Sequence, residues 1–219
     1  MKLVIALALV TLARTADASC AFVELAPSVL TPRDAKIPAD GGVVVGFDRK
    51  LPSGPKADAG GDPSVSSALA FGETAAVRES LAPGLTVYRP RTGASRGAKL
   101  ELTAGGKRIA AFDSGPAAAA LPAPIVESVA VESSFRGTAT VRAHLGADAP
   151  AGAVALIVYG AGGALTYGQP GATRDIVVRE GGHCSFPPGS APKTGDHVTL
   201  AWVDASGHVS ARSKPVTAK

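Results

Sequence analysis

Asparagine is missing from this 219-residue chain, which also has only two cysteines, one methionine and one tryptophan. Without asparagine there is no Asn-x-Ser/Thr site for N-linked glycosylation. Aromatic residues make up 5% of the sequence and its basic residues are scattered, which argues against the basic stripe of a nucleic-acid-binding protein. After the first eighteen residues no apolar run approaches eighteen residues, so we expect no integral membrane segment in the mature chain.

The first eighteen residues have the pattern of a secretory signal peptide. Lys2 supplies the positive charge, residues 3–12 form a short apolar core, and Ala16-Asp17-Ala18 reads as an A-x-A cleavage site. We therefore expect cleavage after residues 1–18 and a mature chain that begins at Ser19. A lipoprotein acylated at Cys20 is the disfavoured alternative, because Asp17 stands where a lipoprotein motif has leucine.

The remaining composition is that of an exported globular protein. The sequence is 46% hydrophobic and 18% charged, with a net charge of +4, and it has room for one large core or two small ones. Heavy use of Gly, Ala, Pro and Arg together with the missing Asn suggests a GC-rich bacterial genome. We expect a periplasmic or extracellular location.

Strand-like runs recur along the chain with Pro and Gly in nearly every gap, which is typical of β-sandwiches. A Pro/Ala-rich stretch divides the runs, and we interpret residues 114–123 as a linker between domains at 19–113 and 124–219. A single sandwich with a long loop is the alternative. One segment, residues 73–80, is predicted to form one or two helical turns.

The segment from Val198 to Val216 predicts a β-hairpin. Val198, Leu200 and Trp202 alternate along one strand, and residues 204–208 supply a turn in which Gly207 is expected to have positive φ.

This hairpin carries a resemblance to a known family. Residues 202–213, WVDASGHVSARS, resemble the closing hairpin of bacterial fibronectin type III-like domains, which commonly read A-V-D-x-x-G-N-x-S-x-x-S. Val198 and the strand at 138–145 depart from that pattern, since they lack the usual Tyr and Trp. The resemblance implies a fibronectin III-like sandwich from residue 124 onward.

The first half resembles bacterial immunoglobulin-like domains more loosely, through Leu30-Thr31-Pro32 and the segment IPADGG at 37–42 followed by the strand at 43–48. The segment PADG is also similar to periplasmic copper-resistance proteins. Their N-terminal copper-binding His has no counterpart here, because the first histidine is His144.

The two cysteines, Cys20 and Cys184, predict one disulfide, because an exported chain meets an oxidising compartment. The bond requires Cα atoms within roughly 7 Å of each other. Two sandwiches strung end to end would hold these residues apart, so the disulfide predicts that the domains pack side by side or that the first strand crosses to the second domain.

Some segments contain the residue types of catalytic or metal-binding motifs but lack the spacing or the secondary structure that those motifs require. The motif G-x-S-x-G around Ser95 is followed by a strand rather than a helix, which denies it the nucleophile geometry of a hydrolase. His183 beside Cys184, with His197 and His208, lacks metal-ligand spacing. Asp204, Ser206 and His208 lie on one tight turn, and we interpret them as turn residues rather than a catalytic triad. We predict no catalytic residue, no metal and no cofactor.

The segment YRPRTGASRGAK is the densest basic stretch. Its possible ligand contacts are Tyr88, Arg89, Arg91, Arg96 and Lys99, which could receive phosphate or carboxylate groups. A solvated loop is the alternative interpretation.

Together these patterns predict an all-β protein of two immunoglobulin/fibronectin III-like β-sandwich domains after a cleaved signal peptide. The function they favour is non-enzymatic binding, adhesion or envelope association, with an unknown protein or an envelope polysaccharide as partner and no nucleic acid. A secreted hydrolase or metal-binding periplasmic protein, and an accessory module of a larger surface assembly, are the alternatives.

Overall fold

A computed structural model of the chain describes residues 28–46, 69–71, 74–93, 97–104, 107–116, 118–133, 139–180 and 191–219. These residues form strands, turns and irregular segments, with no helix among them. The described part of the chain therefore contains no helix long and apolar enough to cross a membrane. The strands are β1 Ser28–Val29, β2 Lys36–Ile37, β3 Val43–Gly46, β4 Leu69–Phe71, β5 Thr74–Ala75, β6 Val77–Ala82, β7 Leu85–Arg89, β8 Lys99–Ala104, β9 Lys107–Ser114, β10 Val126–Ser133, β11 Ala139–Leu145, β12 Ala153–Gly160, β13 Gly163–Gly168, β14 Asp175–Glu180, β15 His197–Asp204 and β16 Val216–Thr217.

The first nine strands build an N-terminal sandwich of two sheets. Sheet I has the order β2-β9-β8-β4-β5, and sheet II has the order β1-β3-β7-β6. The pairing of β2 with β9 is parallel, whereas the other strand pairs in these sheets are antiparallel. The core between the sheets contains Ile37, Val43, Val45, Leu69, Tyr88, Leu100, Leu102 and Phe112.

The last seven strands build a C-terminal sandwich. Sheet III has the order β13-β12-β15-β16, and sheet IV has the order β10-β11-β14. Consecutive strands therefore cross repeatedly from one sheet to the other, as in immunoglobulin and fibronectin III-like sandwiches. The core between the sheets contains Val129, Val141, Ala143, Leu145, Leu156, Val158, Ile176, Val178, Val198, Leu200, Trp202 and Ala218.

Sheets II and III pack against each other, so the molecule has four β layers in the order I, II, III and IV. Alternate residues of the central strands face different layers, as the two-residue repeat of a strand requires. Val43 and Val45 enter the N-terminal core while Val44 enters the interface, and Leu156 enters the C-terminal core while Ile157 enters the interface. The buried interface residues are Val44, Ala82, Leu85, Val87, Val154, Ala155, Ile157 and Val203. Side-by-side packing, one of the two arrangements that the predicted disulfide would require, is therefore present.

The fold confirms the all-β prediction and most of the predicted strands. The helical turns predicted within residues 73–80 are wrong, since β5 and β6 occupy the described part of that segment. Helix-forming residues there are overridden by pairing of β6 with β7, which tertiary context commonly achieves. Residues 118–125, which follow the end of β9, have no regular secondary structure, and the strands on either side of them share no sheet. The apolar run at residues 21–25, which also predicts a strand, lies outside the described residues.

Candidate functional site

A cleft lies at one end of the N-terminal sandwich, where β7 leaves the core and the chain returns as β8. Its volume is about 390 Å³, within the range of small-ligand sites. We call it the loop cleft, and the described residues that line it are Phe71, Pro90, Arg91, Thr92, Gly93, Lys99, Leu100 and Glu101. Phe71 and Leu100 come from the ends of β4 and β8, while residues 90–93 follow the end of β7.

Among the described lining residues of the loop cleft, Arg91 and Lys99 are the cationic groups. Both side chains are exposed, and among the described residues neither forms an ion pair or a side-chain hydrogen bond. Asp113 lies opposite Lys99 in the β8–β9 register but forms no ion pair with it within 4.0 Å. Neither cation is therefore engaged by a described side chain, and both can meet an anion from solvent.

Glu101 is the acidic residue in the described part of the lining. Its Oε1 accepts a hydrogen bond of 3.1 Å from Nη1 of Arg108, which lies outside the cleft lining. Both side chains are about half exposed or more, so this surface ion pair contributes little to stability. The cleft lining therefore contains a carboxylate as well as the two cations.

The other predicted contacts have different positions. Tyr88 belongs to the N-terminal core, with 3% of its surface exposed, because β7 continues through it with the ring turned inward. We therefore remove it from the candidate site. Arg89 is occupied within the fold: its Nε donates to Oε2 of Glu79 at 3.1 Å, and its Nη1 donates to the carbonyl oxygen of Asp40. Arg96 lies outside the described residues.

Several residues for which the sequence suggested a bond or a chemical role also lie outside the described residues. These are Cys20 and Cys184 of the predicted disulfide, Ser95 of the hydrolase motif, and His183. The disulfide remains a prediction. His197 is exposed and its Nδ1 lies 3.2 Å from Oγ1 of Thr217.

The turn between β15 and the returning chain is built by Asp204. Its Oδ1 accepts hydrogen bonds from the backbone N–H groups of Ser206 at 2.8 Å and His208 at 2.9 Å, and its Oδ2 lies 3.2 Å from Nδ1 of His208. Gly207 has φ +82°. The interpretation of these residues as turn residues is therefore confirmed.

Sequence reasoning missed that this turn docks on the other sandwich. The carbonyl oxygen of Ser206 accepts a hydrogen bond of 2.9 Å from the backbone N–H of Gly42. The hydroxyl of Thr31 donates to the carbonyl oxygen of Ala205 and accepts from the backbone N–H of Val44, both at 2.8 Å. Because Thr31 is buried, these bonds satisfy polar groups inside the interface.

A row of charged residues crosses the outer face of sheet IV. His144 lies between two carboxylates, with Nε2 3.3 Å from Oε2 of Glu127 and Nδ1 2.8 Å from Oδ1 of Asp175. The carboxylates sit on opposite ring nitrogens and so do not converge on one point. Within the described ranges no three His, Cys, Asp or Glu side chains form a group that could hold a metal ion.

A cation–π contact lies at the edge of the interface. The guanidinium carbon of Arg212 is 4.0 Å from the centre of the Tyr159 ring. Burial raises the pKa of the Tyr159 phenol above its ordinary value, and the positive charge of Arg212 opposes that rise.

Comparison with known proteins adds little to this description. The chain matches no protein-family model and no curated protein. Among solved structures it is similar to the central fibronectin-III array of RIM-binding protein, with 18% identity and a TM-score of 0.29. The match covers 89% of this chain and 64% of that one, so this chain spans less than two thirds of the matched structure. The fold itself defines the class: an all-β protein of two packed β-sandwiches.

Proposed function

We propose that this chain is an exported, non-enzymatic binding protein that attaches to anionic polymers of the cell envelope through the loop cleft. The observation that carries the proposal is the pair of exposed cations, Arg91 and Lys99, without side-chain partners among the described residues, at a cleft of ligand size. Arginine and lysine in such a position form charge-assisted hydrogen bonds with carboxylate or phosphate oxygens.

The position of the cleft supports the same function. Loops at the ends of sandwich strands commonly carry binding residues, because a rigid scaffold holds them in place. Here the scaffold is a stack of four sheets, and the loop cleft lies beside sheet I, an outer layer of that stack.

The test is binding of the purified protein to immobilised polyuronate, sulfated polysaccharide and polyphosphate, with neutral dextran for comparison. We expect retention on anionic polymers that weakens as salt is raised, since salt screens exposed charges. The double variant Arg91→Gln/Lys99→Gln should lose most of that retention. The control Arg33→Gln/Lys107→Gln removes the same charge from exposed positions outside the cleft lining and should retain it. Equal loss in both double variants would mean that net charge, not the cleft, is responsible.

The accessory-module alternative has one observation in its favour. Strand β6 lies at the edge of sheet II in the described part of the chain, and Val77 on it is 44% exposed. Exposed strand edges can pair with a strand of another protein. The variant Val77→Lys places a charge on this edge. Under the favoured proposal it should leave polymer binding unchanged. Under the alternative it should release the protein from an envelope assembly, which its hydrodynamic size in envelope extracts would show.

A further inference from the structure

We propose that the peptide bond between Asp40 and Gly41 is a site of spontaneous covalent modification, at which aspartate isomerises to isoaspartate and weakens the docking of the two sandwiches. The inference goes beyond the proposed function and is independent of it. It depends on three features of this loop: its sequence, the contacts of its peptide group, and its position between the sandwiches.

The sequence makes Asp40 the residue best suited to this reaction. Isoaspartate forms from asparagine or aspartate, and this chain has no asparagine. Asp40 is the one aspartate in the sequence that glycine follows, and without a side chain on Gly41 the backbone nitrogen can approach the carboxyl carbon. The side chain of Asp40 is 78% exposed, so water can reach its carboxyl group.

The reaction needs only the protein and water. The nitrogen of Gly41 attacks the carboxyl carbon of Asp40 and gives up its proton, while the protonated carboxyl group gives up its hydroxyl. A carbon–nitrogen bond forms, one water leaves, and the product is a cyclic succinimide. Water then reopens the ring. When it attacks the former backbone carbonyl, the backbone continues through the β-carbon, and the residue is isoaspartate with no net change in composition.

Two contacts in the fold favour the first step. Nη1 of Arg89 donates a hydrogen bond to the carbonyl oxygen of Asp40, which draws electrons from this peptide group and makes the Gly41 N–H more acidic. Nε2 of His208 lies 3.5 Å from Oδ2 of Asp40, within reach to supply the proton that leaves with a carboxyl oxygen. Both the attacking nitrogen and the departing oxygen therefore have a polar group beside them.

The packing of the sandwiches requires glycine at position 41. A Cβ there would lie 2.7 Å from Cδ and Cγ of Pro38 and 3.1 Å from Cβ of Ser206, which belongs to the turn of the C-terminal sandwich. A larger residue would push the loop away from that turn. The glycine that makes Asp40 reactive is therefore the residue that lets the loop dock.

Isoaspartate at position 40 would act directly on this docking. The loop joins β2 of sheet I to β3 of sheet II, and the backbone N–H of Gly42 donates 2.9 Å to the carbonyl oxygen of Ser206 across the interface. The isomer adds one atom to the backbone two residues before that bond and moves the carboxylate away from its place beside His208. Modified molecules should therefore hold their two sandwiches together less firmly.

The chain contains a matched turn for comparison. Residues 32–35, PRDA, and residues 38–41, PADG, both form turns in which the N–H of the fourth residue donates to the carbonyl oxygen of proline, at 3.0 and 2.9 Å. Asp34 and Asp40 occupy the same position in these turns, and both are exposed. The turns differ in the residue that follows the aspartate. They also differ in that no described side chain bonds to Asp34.

The experiment is timed incubation of the folded full chain at mildly acidic pH, followed by proteolysis and mass spectrometry with electron-transfer fragmentation, which distinguishes the two isomers at each position. We expect isoaspartate to accumulate at Asp40, with Asp34 reacting at less than about one tenth of that rate because Ala35 carries a Cβ. Asp40→Glu keeps the charge but would have to close a larger ring, so it should form no isomer at position 40. Hydrogen exchange at the Gly42 amide should become faster as the unaltered protein ages and should stay constant in Asp40→Glu.

Two further variants separate the glycine from its surroundings. Ala35→Gly creates an Asp-Gly turn without the arginine and histidine contacts, so Asp34 should become reactive but remain severalfold slower than Asp40. Arg89→Gln should slow the reaction of Asp40 about tenfold, which is the rate effect of losing one charge-assisted hydrogen bond. Loosening of the loop alone would instead make the reaction faster, so the direction of the change separates activation from a structural role.

Each result bears on one part of the inference. If Asp40 stayed unmodified while a free peptide of residues 37–43 isomerised, the fold would protect this bond and the proposal would fail. Equal rates at Asp34 and Asp40 in the unaltered chain would also reject it. Faster reaction in Arg89→Gln would overturn the activating role of the arginine. Unchanged exchange of the Gly42 amide in fully isomerised protein would overturn the effect on docking.

Discussion

At the scale of single residues, Gly207 is fixed by two independent constraints. Its φ of +82° lies in the left-handed region, which costs residues with a side chain roughly 1–2 kcal/mol. A Cβ at this position would also lie 2.5 Å from Cγ2 of Val87, a residue of the other sandwich. The sequence predicted the positive φ from the turn, but the contact with Val87 is visible only once the two sandwiches are placed together.

We predict that Gly207→Ala lowers the free energy of unfolding by more than about 2 kcal/mol, since backbone strain and displacement of Val87 add. Gly162→Ala is the matched control: Gly162 also lies in a turn, but its φ is ordinary and a Cβ there would meet no atom within 4 Å. Urea denaturation of both variants measures the difference. Equal stability of the two variants would show that a Cβ at position 207 neither strains the backbone nor displaces Val87.

The pair Tyr159 and Arg212 predicts a pH effect. Burial raises the pKa of Tyr159, so the unfolded chain loses this proton at a lower pH than the folded chain does. Its contribution to stability is therefore present at neutral pH and is lost as the pH rises from about 10 through the folded-state pKa. The pH dependence of stability that comes from Tyr159 is therefore confined to alkaline pH.

We predict that Arg212→Gln raises the pKa of Tyr159 further, because the positive charge that opposes the rise is removed. Ultraviolet titration of tyrosinate, with Tyr159→Phe subtracted to isolate this ring, measures the shift. Arg174→Gln removes a charge that is not among the causes of the Tyr159 shift and should leave the titration unchanged. A fall in the pKa on removing Arg212 would contradict the contact.

At the scale of elements, the returning arm of the hairpin shows why its serines matter. The hydroxyls of Ser210 and Ser213 accept hydrogen bonds from the backbone N–H groups of Trp202 and Leu200, both at 3.0 Å. The backbone N–H groups of the same serines donate in return to the carbonyl oxygens of Trp202 and Leu200. Two side chains thus replace carbonyl groups in the ladder where the arm does not run as a regular strand.

We predict that Ser213→Ala destabilises the fold by about 1–3 kcal/mol, because it leaves the buried N–H of Leu200 without an acceptor. Ser28→Ala in the exposed part of β1 should change stability by less than about 0.5 kcal/mol. Hydrogen exchange at the Leu200 amide gives a local readout and should become faster only in Ser213→Ala. Unchanged protection of that amide would show that water or another group replaces the hydroxyl.

Strands were predictable from the sequence where apolar residues and turn residues agree. The run around Val198 to Trp202, ending at Asp204 and Gly207, specifies both a strand and its turn. The segment containing β6 was not predictable as a strand. Its residues Val77, Arg78 and Glu79 are all exposed, so no buried face marks the two-residue period of a strand. That strand exists because it pairs with β7, which is non-local information.

The candidate site was predictable only in part, for a similar reason. The basic segment identified Arg91 and Lys99, but composition cannot show that Tyr88 turns inward or that Arg89 is held by Glu79. Phe71 and Glu101, which supply the wall and the carboxylate of the cleft, come from other strands. Their proximity depends on sheet order, which the sequence pattern does not specify.

At the scale of the whole molecule, the central sheets carry a signal that the sequence does contain. Val43 to Val45 and Val154 to Val158 are continuous apolar runs rather than alternating ones, which is typical of strands buried on both faces. Relative motion is the usual expectation for neighbouring domains unless their interface is large and hydrophobic. Here the interface is an apolar layer between two sheets, so we expect the two sandwiches to behave as one unit.

The last prediction tests this coupling. Ile157 is fully buried in the interface, and Ile157→Ala should cost about 2–5 kcal/mol of stability. If the sandwiches unfold together, the loss must appear in both, so amide protection should fall in β3 and β7 of the N-terminal sandwich as much as in β12 and β15. Hydrogen exchange resolved by strand makes the comparison, with Trp202 fluorescence reporting the C-terminal core during denaturation. Loss of protection confined to β12 and β15 would mean that the interface joins two independently stable sandwiches, because a coupled unit cannot open on one side alone.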